Sequence, residues 1–226
     1  MLSPSPIYIV LFGAQGSGKG TQARLIQDHH NIPQVATGDL FRFNIGNQTD
    51  LGKLAKGYMD RGELVPDSVT NDMVRDRLSK EDARNGVVFD GYPRNIAQAQ
   101  ALEALLAESG ARVSQAIYIK VEEDELMRRL TGRRVCKSCQ ATFHIVFNPP
   151  AQEGICDHCG GTLYQRNDDA DEAALHRRLQ IYFEETTPVI EWYDSQGLLA
   201  AVDGQQSIET VNQSIQELVI AHRPVM

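Results

Sequence analysis

The 226-residue sequence contains no run of 18 or more apolar residues, which excludes a transmembrane helix as its organising element. It begins Met1-Leu2-Ser3-Pro4-Ser5-Pro6, with no basic stretch leading into an apolar one, so no export signal is expected and the expected compartment is the cytoplasm. Cationic excess is missing too: 22 Lys and Arg stand against 30 Asp and Glu, a formal net charge of -8. That balance works against nonspecific attachment to nucleic acid or to an anionic membrane, and no stretch interleaves basic with aromatic residues. Cysteine is limited to four positions, all between 136 and 159, too localised to staple a whole fold. Internal repeats and low-complexity segments are absent. With 42% hydrophobic and 23% charged residues, the composition is that of a globular chain able to bury one sizeable core carrying insertions.

What is present is an alternation of strand-length and helix-like patterns. Ile7-Tyr8-Ile9-Val10-Leu11-Phe12 is a continuous apolar run ending at Gly13, as a strand buried on both faces would be. From Lys19 to about His29, the apolar residues Ala23, Leu25 and Ile26 follow helical spacing. Short apolar runs recur at Gly86-Val87-Val88-Phe89, Ala116-Ile117-Tyr118-Ile119 and Leu198-Leu199-Ala200-Ala201-Val202, separated by helical patterns such as residues 96–106. Ser207 is a candidate N-cap for a last helix whose apolar stripe is Ile208, Val211, Ile215, Leu218 and Val219. The alternation predicts an α/β fold with a parallel sheet. Two stretches interrupt it and read as insertions: 36–65, two helical pieces with no strand between them, and 132–169, which holds the cysteines.

Gly13-Ala14-Gln15-Gly16-Ser17-Gly18-Lys19 matches the phosphate-binding pattern G-x-x-x-x-G-K, placed between a predicted strand and a predicted helix. Glycines at 13, 16, 18 and 20 are expected to let the backbone wrap, so that its N–H groups and the helix N-terminus face an anion to which Lys19 adds positive charge. Gly20 stands where Ser or Thr usually follows the lysine, and Thr21 comes next. The two pairs Cys136-x-x-Cys139 and Cys156-x-x-Cys159 have the spacing of a zinc ribbon, and four thiolates leave no open coordination position, so a structural Zn2+ is expected rather than disulfides or free thiols. His144 and His158 are expected to be surface residues, not ligands. Asp90, at the C-terminal end of a predicted parallel strand, suits either a role towards Mg-bound water or the capping of the following turn.

Five motifs give the chain a further resemblance. They are the glycine loop at 13–21; Thr37-Gly38-Asp39-Leu40-Phe41-Arg42; Gly62-Glu63-Leu64-Val65-Pro66; Asp90-Gly91-Tyr92-Pro93-Arg94 with Gln98; and Gly132-Arg133-Arg134-Val135 followed by the cysteines and Arg166-Asn167-Asp168-Asp169. In this order and spacing the chain resembles the adenylate kinases, in their long form with a zinc-bearing lid. The resemblance implies a P-loop kinase: a five-stranded parallel core at 1–35, 66–131 and 170–226, a helical nucleoside-monophosphate-binding insertion at 36–65 and a zinc-ribbon-like lid at 132–169. It implies reversible transfer of the γ-phosphoryl group of MgATP to AMP, giving two ADP, by a monomer that binds ATP, AMP and ADP and neither nucleic acid nor membrane. Lys19, Arg94, Arg133, Arg166 and Arg178 would be catalytic. ATP would be met by Gly16, Ser17, Gly18, Lys19, Gly20 and Thr21, and by Arg129, Arg133, Thr142, Phe143 and Gln206. AMP would be met by Thr37, Arg42, Glu63, Leu64 and Val65, by Gly91, Tyr92, Pro93, Arg94 and Gln98, and by Arg166 and Arg178. Gln15 and Tyr92 depart from the proline and phenylalanine usual in the family, and neither change removes a phosphate ligand.

The roles agree with what phosphoryl transfer demands, since arginine offers a planar, permanently charged, bidentate donor to spread negative charge. Arg75, Arg77 and Arg112 read instead as solvated surface charges. For the second phosphate-gripping arginine that the resemblance implies after Arg166, counting forward from Arg166 in the family pattern reaches Arg177 and counting back from Pro188 reaches Arg178. Arg178 shares the stripe of Leu175, Leu179 and Tyr182, and a charge on an inward stripe needs an anion in front of it, so Arg178 is the expected residue. Net charge argues against a nucleic-acid-binding ribbon; the resemblance implies AMP over UMP or CMP, since Thr37-Gly38 with Gln98 is the family pattern for AMP; and a hydrolytic NTPase lacks an evident residue to position water.

Overall fold

A computed structural model describes residues 6–60, 65–165, 169 and 172–221. In chain order, β1 (Ile7–Phe12) leads to α1 (Lys19–His30), and β2 (Gln34–Ala36) runs straight into α2 (Thr37–Gly46) and α3 (Asp50–Asp60). Next come α4 (Asp67–Leu78), a 3-10 turn at Glu81–Ala83, β3 (Gly86–Asp90), α5 (Ile96–Ala107), β4 (Gln115–Lys120) and α6 (Glu123–Thr131). Three short strands follow, β5 (Arg133–Cys136), β6 (Thr142–His144) and β7 (Leu163–Tyr164), then α7 (Glu172–Ser195), β8 (Leu199–Asp203) and α8 (Ile208–Ala221).

The parallel sheet has the order β2-β3-β1-β4-β8. Period-two alternation sends the side chains of each strand to two separate cores. Tyr8, Val10, Phe12, Val87 and Phe89 pack against Leu102 and Leu106 of α5 and Val189 and Tyr193 of α7. Ile9, Leu11, Val88, Ile117 and Ile119 pack against Ala23 and Ile26 of α1 and Val211, Ile215 and Val219 of α8. Burial on both faces is why these strands read as unbroken apolar runs, and each fully buried Val, Ile or Phe contributes about 1.5–3 kcal/mol. Ser207 caps α8, its Oγ accepting the Thr210 N–H at 3.2 Å. Ile208, at the head of the expected stripe, remains exposed.

From β1 the sheet grows outward in both directions, and ligands of such sheets bind at that reversal, outside the carboxyl ends of the strands. Register brings the relevant residues level there: Leu11 pairs with Asp90, and Ala36 pairs with Asp90 from the other side. Strand β2 carries no apolar run. Only Val35 of its three residues is buried, and the helix that begins at Thr37 follows without a turn signal.

Helices α2 and α3 pack on each other and on α4 through Leu40, Phe41, Leu51, Ala55, Val69 and Met73. The approach is close: a Cβ on Gly52 would lie 2.0 Å from the Asn44 carbonyl oxygen, so only glycine fits. The strands between 132 and 169 form a separate antiparallel sheet in the order β6-β5-β7, with a small core of Cys136, Ala141, Phe143, Cys156 and Leu163. Among the described residues no helix is long and apolar enough to cross a membrane.

Candidate active site

The loop after β1 wraps by placing Gly13, Gly16 and Gly18 at φ of 150°, 88° and 94°, values that L side chains rarely adopt. Gly18 is the N-cap of α1 and carries no capping side chain, which leaves the first-turn N–H groups suited to an anion. The expectation that Gly20 helps the loop to wrap is corrected: it lies inside α1, and a Cβ there would sit 3.5 Å from Asp90 Oδ2. Ser17 is 3% exposed, and its hydroxyl lies against Gly13 beneath the loop. Thr21 is half-buried in the first turn of α1.

Lys19 Nζ donates to the carbonyls of Gly13 and, at 3.0 Å, Ala14. Its pKa is lowered to about 8, first by burial; Asp90 opposes that shift, while Arg94, Arg133 and Arg178 add to it. Three arginines far apart in sequence thus act on one lysine at the head of the loop. Arg94 is itself held below its ordinary value, first by burial, with Arg178 pushing the same way against Asp90 and Glu185. A fully buried carboxylate organises the other two: Asp169 accepts from Arg133 Nε at 2.8 Å and Nη2 at 2.6 Å, and from Arg178 Nη1 at 3.2 Å. Arg178 is half-buried on α7, whereas Arg177 is exposed.

At the ends of β2 and β3, Thr37 Oγ1 donates to the Gly91 carbonyl at 2.9 Å, and Arg94 Nε donates to that same oxygen at 2.9 Å. Arg42 pairs with Asp39 on α2. Val65 packs beside Val69 and Met73. The ring of Tyr92 belongs to the core at 1% exposure, with its hydroxyl donating to Asn71 Oδ1 at 2.7 Å, and Pro93 is buried after a cis peptide bond. The side chains of these two residues are therefore taken up by the protein interior rather than turned to a ligand. Gln98 accepts the Arg94 N–H at 2.8 Å and donates to Asp67 Oδ1 at 2.6 Å. Glu63, Leu64 and Arg166 lie outside the described residues. Asp90 accepts from Gln34 Nε2 at 3.0 Å, so a side chain of β2 orients it.

On the opposite side of the loop, Arg129 is held by Glu125 Oε1 at 2.8 Å and donates to the Gly204 carbonyl at 2.9 Å, which joins α6 to the turn that carries Gln206. Gln206 donates to Asp203 Oδ2 at 2.7 Å. Thr142 is exposed on β6, while the ring of Phe143 is buried in the cysteine-side core. Phe143 can therefore meet a nucleotide only through its backbone. Arg75 and Arg77 pair with Glu108 and Asp82.

The four cysteine sulfurs lie within 4.8 Å of one another, with Cys136–Cys159 and Cys139–Cys156 both at 3.5 Å. All four are free thiols. A tetrahedron with metal–sulfur bonds of about 2.3 Å has edges of about 3.8 Å, so the cluster matches a zinc site in shape and donor type. The Cys136 thiol is drawn down, first by the Cys139 N–H and also by the Ser138 N–H, while the neighbouring Cys159 thiol is pushed up by the other sulfurs, so the clustered thiols share the tendency to ionise. His158 is exposed. His144 departs from the expected surface role: half-buried, its Nδ1 accepts the N–H groups of Val146 at 3.0 Å and Phe147 at 3.1 Å, which caps a turn.

Glu125, Gln34 and Asp67, which no sequence motif singles out, and Asp169, which stands in a motif without an assigned role, bond to Arg129, Asp90, Gln98 and the Arg133–Arg178 pair. Asp169 is one of two adjacent acids in its motif, with nothing local to single it out, and Glu125 lies four residues before Arg129, a spacing at which helical ion pairs form.

A glycine loop at the switch point of a parallel sheet, faced by one lysine and three convergent arginines, defines a P-loop phosphotransferase. The sequence model of the adenylate kinase family matches residues 11–198. An adenylate kinase of Geobacillus sp. (strain WCH70) is 52% identical over 211 residues, covering 93% of this chain and 97% of that protein. Adenylate kinases of Caldicellulosiruptor bescii and Streptomyces avermitilis are 46% and 48% identical, covering 92% and 91% of this chain and 96% and 93% of their own lengths. The chain belongs to the adenylate kinase family and is a nucleoside monophosphate kinase that phosphorylates AMP.

Proposed function

We propose that the protein transfers the γ-phosphoryl group of MgATP reversibly to the phosphate of AMP, giving two ADP, with its charged residues in the following roles. A phosphate oxygen of AMP attacks the γ-phosphorus in line while the bond from that phosphorus to the bridging oxygen of the departing ADP breaks; no covalent enzyme intermediate is needed. Lys19 and the bare N–H groups of α1 hold the donor phosphates. Arg94, Arg133 and Arg178, joined by Arg166, neutralise the charge that spreads over the transferring group. Asp90 would orient the water shell of the Mg2+ that arrives with ATP, an ion that neutralises phosphate charge. The observation that carries the reading is the glycine loop with Lys19 at the carboxyl ends of the parallel strands, together with Arg133 and Arg178 held side by side on the buried Asp169.

Residues 36–65 would bind AMP through Thr37, Arg42 and Val65, with Gly91 and Gln98 supplied by the core, and 132–169 would close over ATP, carrying Arg133 and leaning on Arg129 and Gln206. Cys136, Cys139, Cys156 and Cys159 would hold a structural Zn2+, supported by the fit of their sulfurs. We also propose a monomer in the cytoplasm, a reducing compartment that would keep Cys136, Cys139, Cys156 and Cys159 available to a metal rather than paired in disulfides. Incubation with MgATP and, in turn, AMP, CMP, UMP and GMP tests the reading, with diphosphate expected rapidly from AMP alone.

A further inference from the structure

We propose that Asp67 is a positioning residue for choice of the acceptor base: it locks the Gln98 side-chain amide in one orientation, so that the site accepts an adenine-type edge and refuses the reverse donor–acceptor order. The proposal rests on Gln98 reading the base, as put forward above.

Gln98 is 5% exposed and lies in the first turn of α5. A primary amide presents similar shapes when rotated by 180° about its last bond, so its bonding partners decide which end is oxygen and which is nitrogen. Both partners here are one-way groups. The Arg94 main-chain N–H can only donate, and it meets Oε1 at 2.8 Å. An ionised carboxylate can only accept, and Asp67 Oδ1 meets Nε2 at 2.6 Å. Rotation would set the carbonyl oxygen against the carboxylate and the amino group against the N–H, breaking both bonds and opposing like dipoles. Asp67 is in turn held by Asn95, whose Nδ2 donates to Oδ2 at 2.9 Å while its Oδ1 caps α5 by accepting the Gln98 main-chain N–H at 2.8 Å. The clamp thus joins the start of α4 to the start of α5.

Once clamped, the amide still has one N–H and one oxygen lone pair for a ligand, in a set order. Adenine offers an amino donor at N6 beside a ring-nitrogen acceptor, whereas guanine carries an acceptor oxygen in place of that amino group. An amide free to rotate could serve either base. One held by Asp67 serves only the first.

The test is a double-mutant cycle on the full-length protein, combining Asp67→Asn and Asp67→Ala with Gln98→Ala. Asp67→Asn keeps size and helix-start polarity but adds a donor, so it removes the one-way character with the least risk to folding. We expect each Asp67 variant to raise KM for AMP by about tenfold, to leave KM for ATP unchanged and to lower the AMP-over-GMP preference by a similar factor. In the Gln98→Ala background the same substitutions should change neither quantity further. Equal losses with and without Gln98, or an unchanged AMP-over-GMP ratio in both Asp67 variants, would overturn the role of Asp67. An unchanged ratio in Gln98→Ala alone would instead overturn the base-reading role of Gln98.

Discussion

The parallel core and the cysteine-bearing segment 132–169 keep their shape by different means. In β1, Ile9, Val10 and Leu11 are at most 1% exposed and pack on helices from both sides. Among its described residues the antiparallel segment buries the apolar side chains of Val135, Ala141, Phe143 and Leu163 with Cys136 and Cys156, while Ile145, Val146 and Phe147 are exposed. Hydrophobic burial suffices for the first, whereas the second needs a cross-link, and four convergent thiols provide a place for one. Chemistry divides along the same line. Lys19, Arg94 and Arg178 stand on the core, Arg133 stands on the segment, and Asp169 ties Arg133 to Arg178.

The division predicts effects of different size and kind. Lys19→Met, on the core, should lower kcat by about a hundred- to a thousandfold without lowering Tm, because a phosphate contact that strengthens in the transition state is lost; steady-state kinetics beside calorimetry checks this. Arg178→Ala should lower kcat by about a hundredfold, and Arg177→Ala by less than about twofold. A larger loss in the Arg177 variant would place the phosphate contact on the exposed side of α7.

The pH dependence follows from the Lys19 pKa of about 8 against its ordinary 10.5. Free protein loses this cation as pH rises through about 8, so kcat/KM for ATP should fall about tenfold per pH unit above it, while kcat should hold to higher pH because bound phosphates retain the proton. The native state also holds fewer protons than the unfolded chain between about 8 and 10.5. Charged Lys19 therefore costs stability below that window, and the cost is relieved as pH rises through it. Lys19→Met should be more stable than the unsubstituted protein at pH 7, with a difference that shrinks towards pH 10.5.

The smallest effect expected is on the segment: chelation should lower Tm by about 2–8 °C without altering core secondary structure. Elemental analysis of protein purified under reducing conditions should find one zinc per chain.

Which features could be read from sequence follows the same physics. The glycine loop and the cysteine pairs were legible because their chemistry is local: spacing alone brings the groups together. Strand β2 was not, since a three-residue edge strand with one buried side chain has no periodicity to detect. Asp169 looked like one acid among several, and only tertiary packing removes it from water and places it between two arginines. Tyr92 and Phe143 sit in motifs that suggest ligand contact, yet their rings fill cores on either side of the site. Gln98 was recognisable as an amide near an acceptor, but its clamp depends on Asp67, 31 positions away.

The most direct test is ADP production from MgATP with and without AMP. If the arginines collected around Lys19 serve transfer to AMP and the closing segment excludes water, ADP should form rapidly only with AMP present, two molecules for each AMP consumed. Equally fast ADP production without AMP would contradict the account.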